Sequence, residues 1–131
     1  MIRAEDVRKI AEARLEDANV LLASQRYDGA IYLCGYAVEL ALKAKICQTL
    51  NWAGYPSTSA EFRDYRSFQT HDLDVLLHLT GREEYIKKSL LAEWSAVAQW
   101  DPDTRYQPIG TTTKADVRLM MVAAATLLGK I

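Results

Sequence analysis

Apolar residues recur at three- and four-residue steps along most of the chain, and no strand-like alternation lasts beyond a few residues. Ala4, Val7, Ala11, Leu15, Ala18 and Leu22 predict a first helix over Ile2 to Gln25, with Glu5 and Asp6 in the first turn, where carboxylates suit the helix N-terminus. Its other face carries Arg3, Arg8, Lys9, Glu12, Arg14, Glu16 and Asp17 and reads as solvated. A short turn at Arg26 and Tyr27 follows. The stretch from Asp28 to Leu50 is the longest strongly apolar run free of proline, with Asp28 as a candidate N-cap. Ala30, Leu33, Cys34, Ala37, Leu40, Ala41, Ala44 and Cys47 form one stripe; Ile31, Val38, Leu42 and Ile46 spread apolar character to the other faces. A helix apolar nearly all round belongs at the centre of a bundle. Gly35 at its middle implies close approach of the first helix or another chain.

The second half of the chain is more broken. Asn51 to Ser59 has loop chemistry, and Phe62, Tyr65 and Phe68 step by three, predicting a short helical turn that docks aromatics on the core. Thr70 is a candidate N-cap for a third helix whose buried side is Leu73, Val75, Leu76, Leu77 and Leu79, with Gly81 at its end. Arg82 to Trp100 predicts a fourth helix, with Tyr85, Leu90, Leu91, Trp94, Val97 and Ala98 inward, stopped at Asp101-Pro102-Asp103. After an irregular stretch, Thr113 caps a last helix over Lys114 to Leu128, with Gly129 at its end and Val117, Met120, Met121, Ala124 and Leu127 buried. The expected fold is all-α: one domain, 1-131, forming an up-and-down antiparallel bundle of about four to five helices.

Composition narrows the function. The net charge of −1 argues against coating nucleic acid by bulk electrostatics, although a local basic patch is compatible with it. Cys34 and Cys47, several turns apart on one helix, are too distant to bridge and read as reduced core residues. The opening twenty residues are charged throughout, unlike a secretory signal, and no apolar run is long enough to span a bilayer. A cytoplasmic protein with no membrane association is expected.

Three blocks carry a family resemblance: RYDGAIYLCGYAVELALKAKIC from Arg26, THDLDVLL from Thr70, and the tryptophan-rich run ending in WDPDTRY at Tyr106. Together they resemble the HEPN domain, from about Ala11 to Leu128. The resemblance implies a helical bundle, commonly dimeric, that binds nucleotide or RNA. Such domains are often encoded beside a minimal nucleotidyltransferase partner, in toxin–antitoxin or defence settings. Many relatives are metal-independent endoribonucleases with an Arg, four to six residues, then a His. In such a site the His would activate or orient the ribose 2′-hydroxyl and the Arg would stabilise charge on the phosphorane. Arg66-Ser-Phe-Gln-Thr-His71 has that spacing, ahead of a middle helix.

Candidate chemistry therefore centres on His71 and Arg66 as catalytic groups, with Lys43, Asp72, Arg105 and Tyr106 as nucleotide- or phosphate-binding residues. Arg63 and Arg66, three apart, share a face that could meet an anion. Arg105 and Tyr106 lie near Trp100, an arrangement that could clamp a phosphate or stack a base. Glu39 and Lys43, four apart with the acid first, form either a structural pair or part of a phosphate cleft. His78 reads as structural. No carboxylate–histidine cluster has metal spacing, and no phosphate loop or nucleophile elbow is present, so neither a metal nor another cofactor is expected. The rival reading is a non-catalytic interaction domain that dimerises through an apolar face at the Met120-Met121 end of the last helix.

Overall fold

In a computed structural model covering residues 1–131, the chain folds around two long helices, α1 (Ala4–Ala23) and α2 (Tyr27–Leu50). Their connection is three residues long because α1 ends in a paired-carbonyl cap. Gln25 takes a left-handed conformation (φ 63°), its N–H donates to Leu22 O at 3.1 Å, and the Arg26 N–H donates to Leu21 O at 2.8 Å. The same device ends α2. Asn51 is left-handed (φ 56°), a conformation Asn tolerates, and the Trp52 N–H donates to Cys47 O at 2.8 Å. The hairpin is closed at its far end by a two-stranded antiparallel ribbon. There β1 (Ile2–Arg3) pairs with β2 (Gly54–Tyr55), Ile2 opposite Tyr55, which brings the start of α1 to the end of α2.

The expectation of a central α2 holds. Ala30, Cys34, Ala37, Val38, Ala41, Leu42, Ile46 and Cys47 are fully enclosed, and α2 packs against α1 and against the helices Leu73–Leu79 and Lys114–Lys130. Each large side chain buried this way contributes roughly 1.5–3 kcal/mol of transfer free energy. Both cysteines are buried and unpaired, and burial pushes the Cys34 thiol up to about 12.

Several boundaries and placements differ from expectation, each for a local reason. There are six α-helices rather than four or five, plus the small ribbon. The Arg82 to Trp100 segment divides at Leu90 (φ −134°, ψ 38°) into α4 (Glu83–Ser89) and α5 (Leu91–Val97). This break turns Tyr85 and Leu91 outward, at 39% and 59% exposure, while Ile86, Trp94 and Val97 stay buried. The turn after Ser59 yields only a single 3₁₀ turn, Arg66–Phe68; Phe62 is buried, whereas Tyr65 is exposed. The cap of α3 (Leu73–Leu79) is Asp72, not Thr70: its carboxylate accepts from the N–H groups of Asp74 (2.9 Å) and Val75 (3.2 Å). Val75 faces solvent.

In the last helix, α6 (Lys114–Lys130), Thr113 forms a reciprocal capping box with Asp116, but Gly129 lies inside the helix, not past its end. Met120 is buried, so the outward apolar face of α6 belongs to Leu119 and Val122 instead. Asp28 does not cap α2 with its side chain. It reaches across to accept the Gly110 and Thr112 N–H groups at 2.7 and 3.1 Å, which pins the loop before α6 and lowers its own pKa. The close approach at Gly35 comes from Trp100: a Cβ there would overlap the indole ring. That packing seats the second 3₁₀ turn, Pro102–Tyr106, beside α2.

Candidate functional site

One face along the middle of α2 is polar, between apolar faces. Tyr32, Tyr36, Glu39 and Lys43 fall at steps of four, three and four, which places them in one line along the helix. Glu39 is the pivot of this line. It is 1% exposed, and its two oxygens serve different partners: Oε2 accepts from Lys43 Nζ at 3.0 Å, and Oε1 lies 2.9 Å from His71 Nδ1. A carboxylate paired with an ammonium can only accept, so Nδ1 is the protonated nitrogen of the ring. His71 Nε2 makes no hydrogen bond within the chain and belongs to a side chain 63% exposed.

His71 is held on both sides along the chain. The Tyr55 hydroxyl donates to Phe68 O at 2.5 Å, and Trp52 packs on the Phe68 ring at 4.9 Å, which fixes the 3₁₀ turn before it. After it, Asp72 caps α3 and donates its own N–H to Thr70 Oγ1 at 3.1 Å. The imidazole is thus positioned by a buried carboxylate and a rigid backbone.

Two clefts open on either side of His71 and Tyr36, which line both. The first, about 300 Å³, has an apolar and aromatic wall of Val7, Leu40, Tyr55 and Phe62, with Ser57, Gln69 and Thr70 at its margin. Lys43 also lines it, but its charge is committed to Glu39 and its ammonium lies 5.3 Å from the Tyr55 ring centre. The second, about 390 Å³, is lined by Arg14, Tyr32, Leu33, Glu39, Pro102 and Arg105 as well. Arg14 pairs with Asp17 at 3.0 Å. Arg105 forms no ion pair; its guanidinium lies 4.7 Å from the Tyr106 ring centre, and side-chain contacts with Tyr106 and then Tyr32 hold its pKa above the ordinary arginine value. Burial, then the charge of Glu39, raises the Tyr36 phenol, which stays a neutral donor.

Of the residues singled out from sequence, His71, Glu39, Lys43 and Arg105 gather at these clefts. Arg66 lines neither; it sits on the exposed 3₁₀ turn, and Arg63 is exposed on the turn before it. Asp72 is occupied as the cap of α3, and Tyr106 is 74% exposed beneath Arg105. His78 stands at the surface 3.6 Å from Glu83. Sequence reasoning missed Arg14, Tyr32 and Tyr36. The two tyrosines carried a signal, their spacing to Glu39; Arg14 carried none, since it lies on a helix face rich in charge. No group of three or more His, Cys, Asp or Glu side chains comes together in metal-ligating geometry, and no helix is long and apolar enough to cross a membrane.

A family model described as the HEPN domain matches residues 4–129, nearly the whole chain. No curated protein and no solved structure gave a match.

Proposed function

Because the chain belongs to the HEPN domain family, we propose that it is a nucleotide- or RNA-binding module whose ligand enters the clefts flanking His71. Membership supports a nucleotide- or RNA-related role in general. The observation that carries the specific site is the imidazole held at 2.9 Å by buried Glu39, with the unpaired cation Arg105 lining the same cleft. An oriented histidine beside a free guanidinium is suited to a phosphate or phosphodiester: the guanidinium can donate to an anionic oxygen while the open imidazole Nε2 faces the group beside it.

Calorimetric titration with nucleoside monophosphates and short single-stranded RNA tests this reading. Saturable heat at or below millimolar ligand is expected; the absence of heat for every probe removes it. The enzymatic version, cleavage through the ribose 2′-hydroxyl with His71 as base, is tested separately in chelator. Cleavage by the wild type but not by His71→Ala supports it, with Arg66→Ala showing whether that exposed arginine takes part. Equal products from all three proteins would assign the activity elsewhere.

The family resemblance further supports action alongside a nucleotidyltransferase partner in a toxin–antitoxin setting. Co-expression with such a protein should give a single co-eluting species; separate elution contradicts it. A homodimer is the reading favoured by α6, where Leu119 and Val122 are 67% and 69% exposed, three apart on one face. Arg118 beside them and Asp116 nearby could pair across a two-fold axis.

A further inference from the structure

The two clefts differ in chemistry, and that difference gives the site a direction. In the first, the lining is apolar and aromatic, its one cation is neutralised by Glu39, and Ser57, Gln69 and Thr70 offer hydroxyl and amide groups at the edge. A flat heteroaromatic ring with polar edges satisfies such a lining; a phosphate does not, because it would lose water without gaining a free cation. In the second, Arg14 and Arg105 face a single carboxylate, Glu39, already shared between Lys43 and His71. That lining favours an anion. Each cleft alone, at about 300 and 390 Å³, is at the low end for a ligand pocket, but Tyr36 and His71 line both, so a ligand reaching over these two side chains would occupy the pair.

Resting on the nucleotide-binding reading above, we propose that the two clefts form one bipartite site for a nucleoside monophosphate unit, its base against Leu40, Tyr55 and Phe62 and its phosphate on Arg105 and Arg14, with the sugar passing His71. In this arrangement Arg105, rather than Arg66, is the cation that works beside His71. Arg105 reaches that position only because Trp100 packs over Gly35 and seats the Pro102–Tyr106 turn against α2. A free nucleotide and the terminal residue of an RNA strand are the two sources of such a unit, since both present the same base and phosphate.

The test compares AMP, adenosine and inorganic phosphate on the wild type, Arg105→Gln, Arg14→Gln and Ser57→Trp, with thermal melts confirming that each variant is folded. Ser57 is exposed at the mouth of the first cleft, and an indole there should fill it. Arg105→Gln should weaken AMP roughly ten- to hundredfold, the loss expected for a charge-assisted contact, while leaving adenosine within about twofold. Arg14→Gln should do the same to a smaller extent, because Arg14 is partly satisfied by Asp17. Ser57→Trp should weaken adenosine and AMP but not phosphate. If the wild type binds AMP and Arg105→Gln binds it equally well, the bipartite assignment is overturned while the nucleotide reading stands. If the wild type binds none of the probes, both fall. A 5′-phosphorylated RNA trinucleotide binding at least as tightly as AMP identifies a strand end as the source, and weaker binding identifies the free nucleotide.

Discussion

Glu39 and Thr80 are the buried polar side chains of the fold, and Glu39 alone is a charged one. A carboxylate in that position would be strongly destabilising without partners, and it has two. Glu39→Ala should cost about 3 kcal/mol, the low end for breaking a buried pair, because Lys43 and His71 retain access to water. Glu39→Gln keeps a hydrogen-bonding oxygen and should cost less in stability. It should, however, release the Nδ1-protonated tautomer of His71, visible in the imidazole nitrogen shifts; unchanged shifts would mean that Glu39 does not set the ring. Gly35 is the second residue with a consequence beyond its size. Replacement by Ala improves helix propensity by about 1 kcal/mol but drives a methyl into Trp100, an overpacking cost of about 1–3 kcal/mol. Gly35→Ala should therefore be less stable on balance, and the Trp100 fluorescence should shift as the ring is displaced. A more stable variant with unchanged fluorescence would show that the indole does not rest there.

At the scale of elements, α2 acts as both core and site. Its apolar faces hold the hairpin and α6, and its polar line of Tyr32, Tyr36, Glu39 and Lys43 contributes to the walls of the two clefts. Asp28 at its start is an anchor for a distant loop, 82 residues away at Gly110. The two backbone N–H groups it accepts hold its carboxyl below the ordinary value of 3.8. A depressed folded-state pKa stabilises at every pH above the unfolded value and loses that contribution as pH falls through the folded one. The stability difference between wild type and Asp28→Asn should therefore narrow as pH falls below the ordinary carboxylate value of 3.8, and the variant should speed exchange of the Gly110 and Thr112 amide protons at neutral pH. Equal exchange rates in the two proteins would mean the loop is held by something else. Such features mark the limit of sequence reading. The Thr113 cap, the turn at Asn51 and the centrality of α2 are local or periodic, so the residues announce them. The Asp28 tether, the Trp100 contact with Gly35 and the recruitment of Arg14 depend on residues that are distant along the chain. The spacing of Arg66 to His71 was legible, yet spacing across a single 3₁₀ turn and the irregular residues after it sets no direction, and Arg66 lines neither cleft.

For the molecule as a whole, a net charge of −1 supplies no bulk attraction for an anion, so its recognition falls to a few placed groups. The outward face of α6 is a separate surface. If two copies meet there, Leu119→Asp should shift the protein to monomer in sedimentation without altering nucleotide binding, because that face takes no part in either cleft. A wild type that is already monomeric at high concentration, or an unchanged dimer in the variant, contradicts the α6 interface.

The most direct probe of the central claim is nuclear magnetic resonance of isotopically labelled protein during titration with AMP, following the His71 imidazole and the Arg105 side-chain Nε–H. Both sets of resonances should move together and saturate at the same ligand concentration, while Arg66 stays still. Saturation that perturbs Arg66 or α6 and leaves His71 and Arg105 unmoved would place the ligand elsewhere and contradict the account.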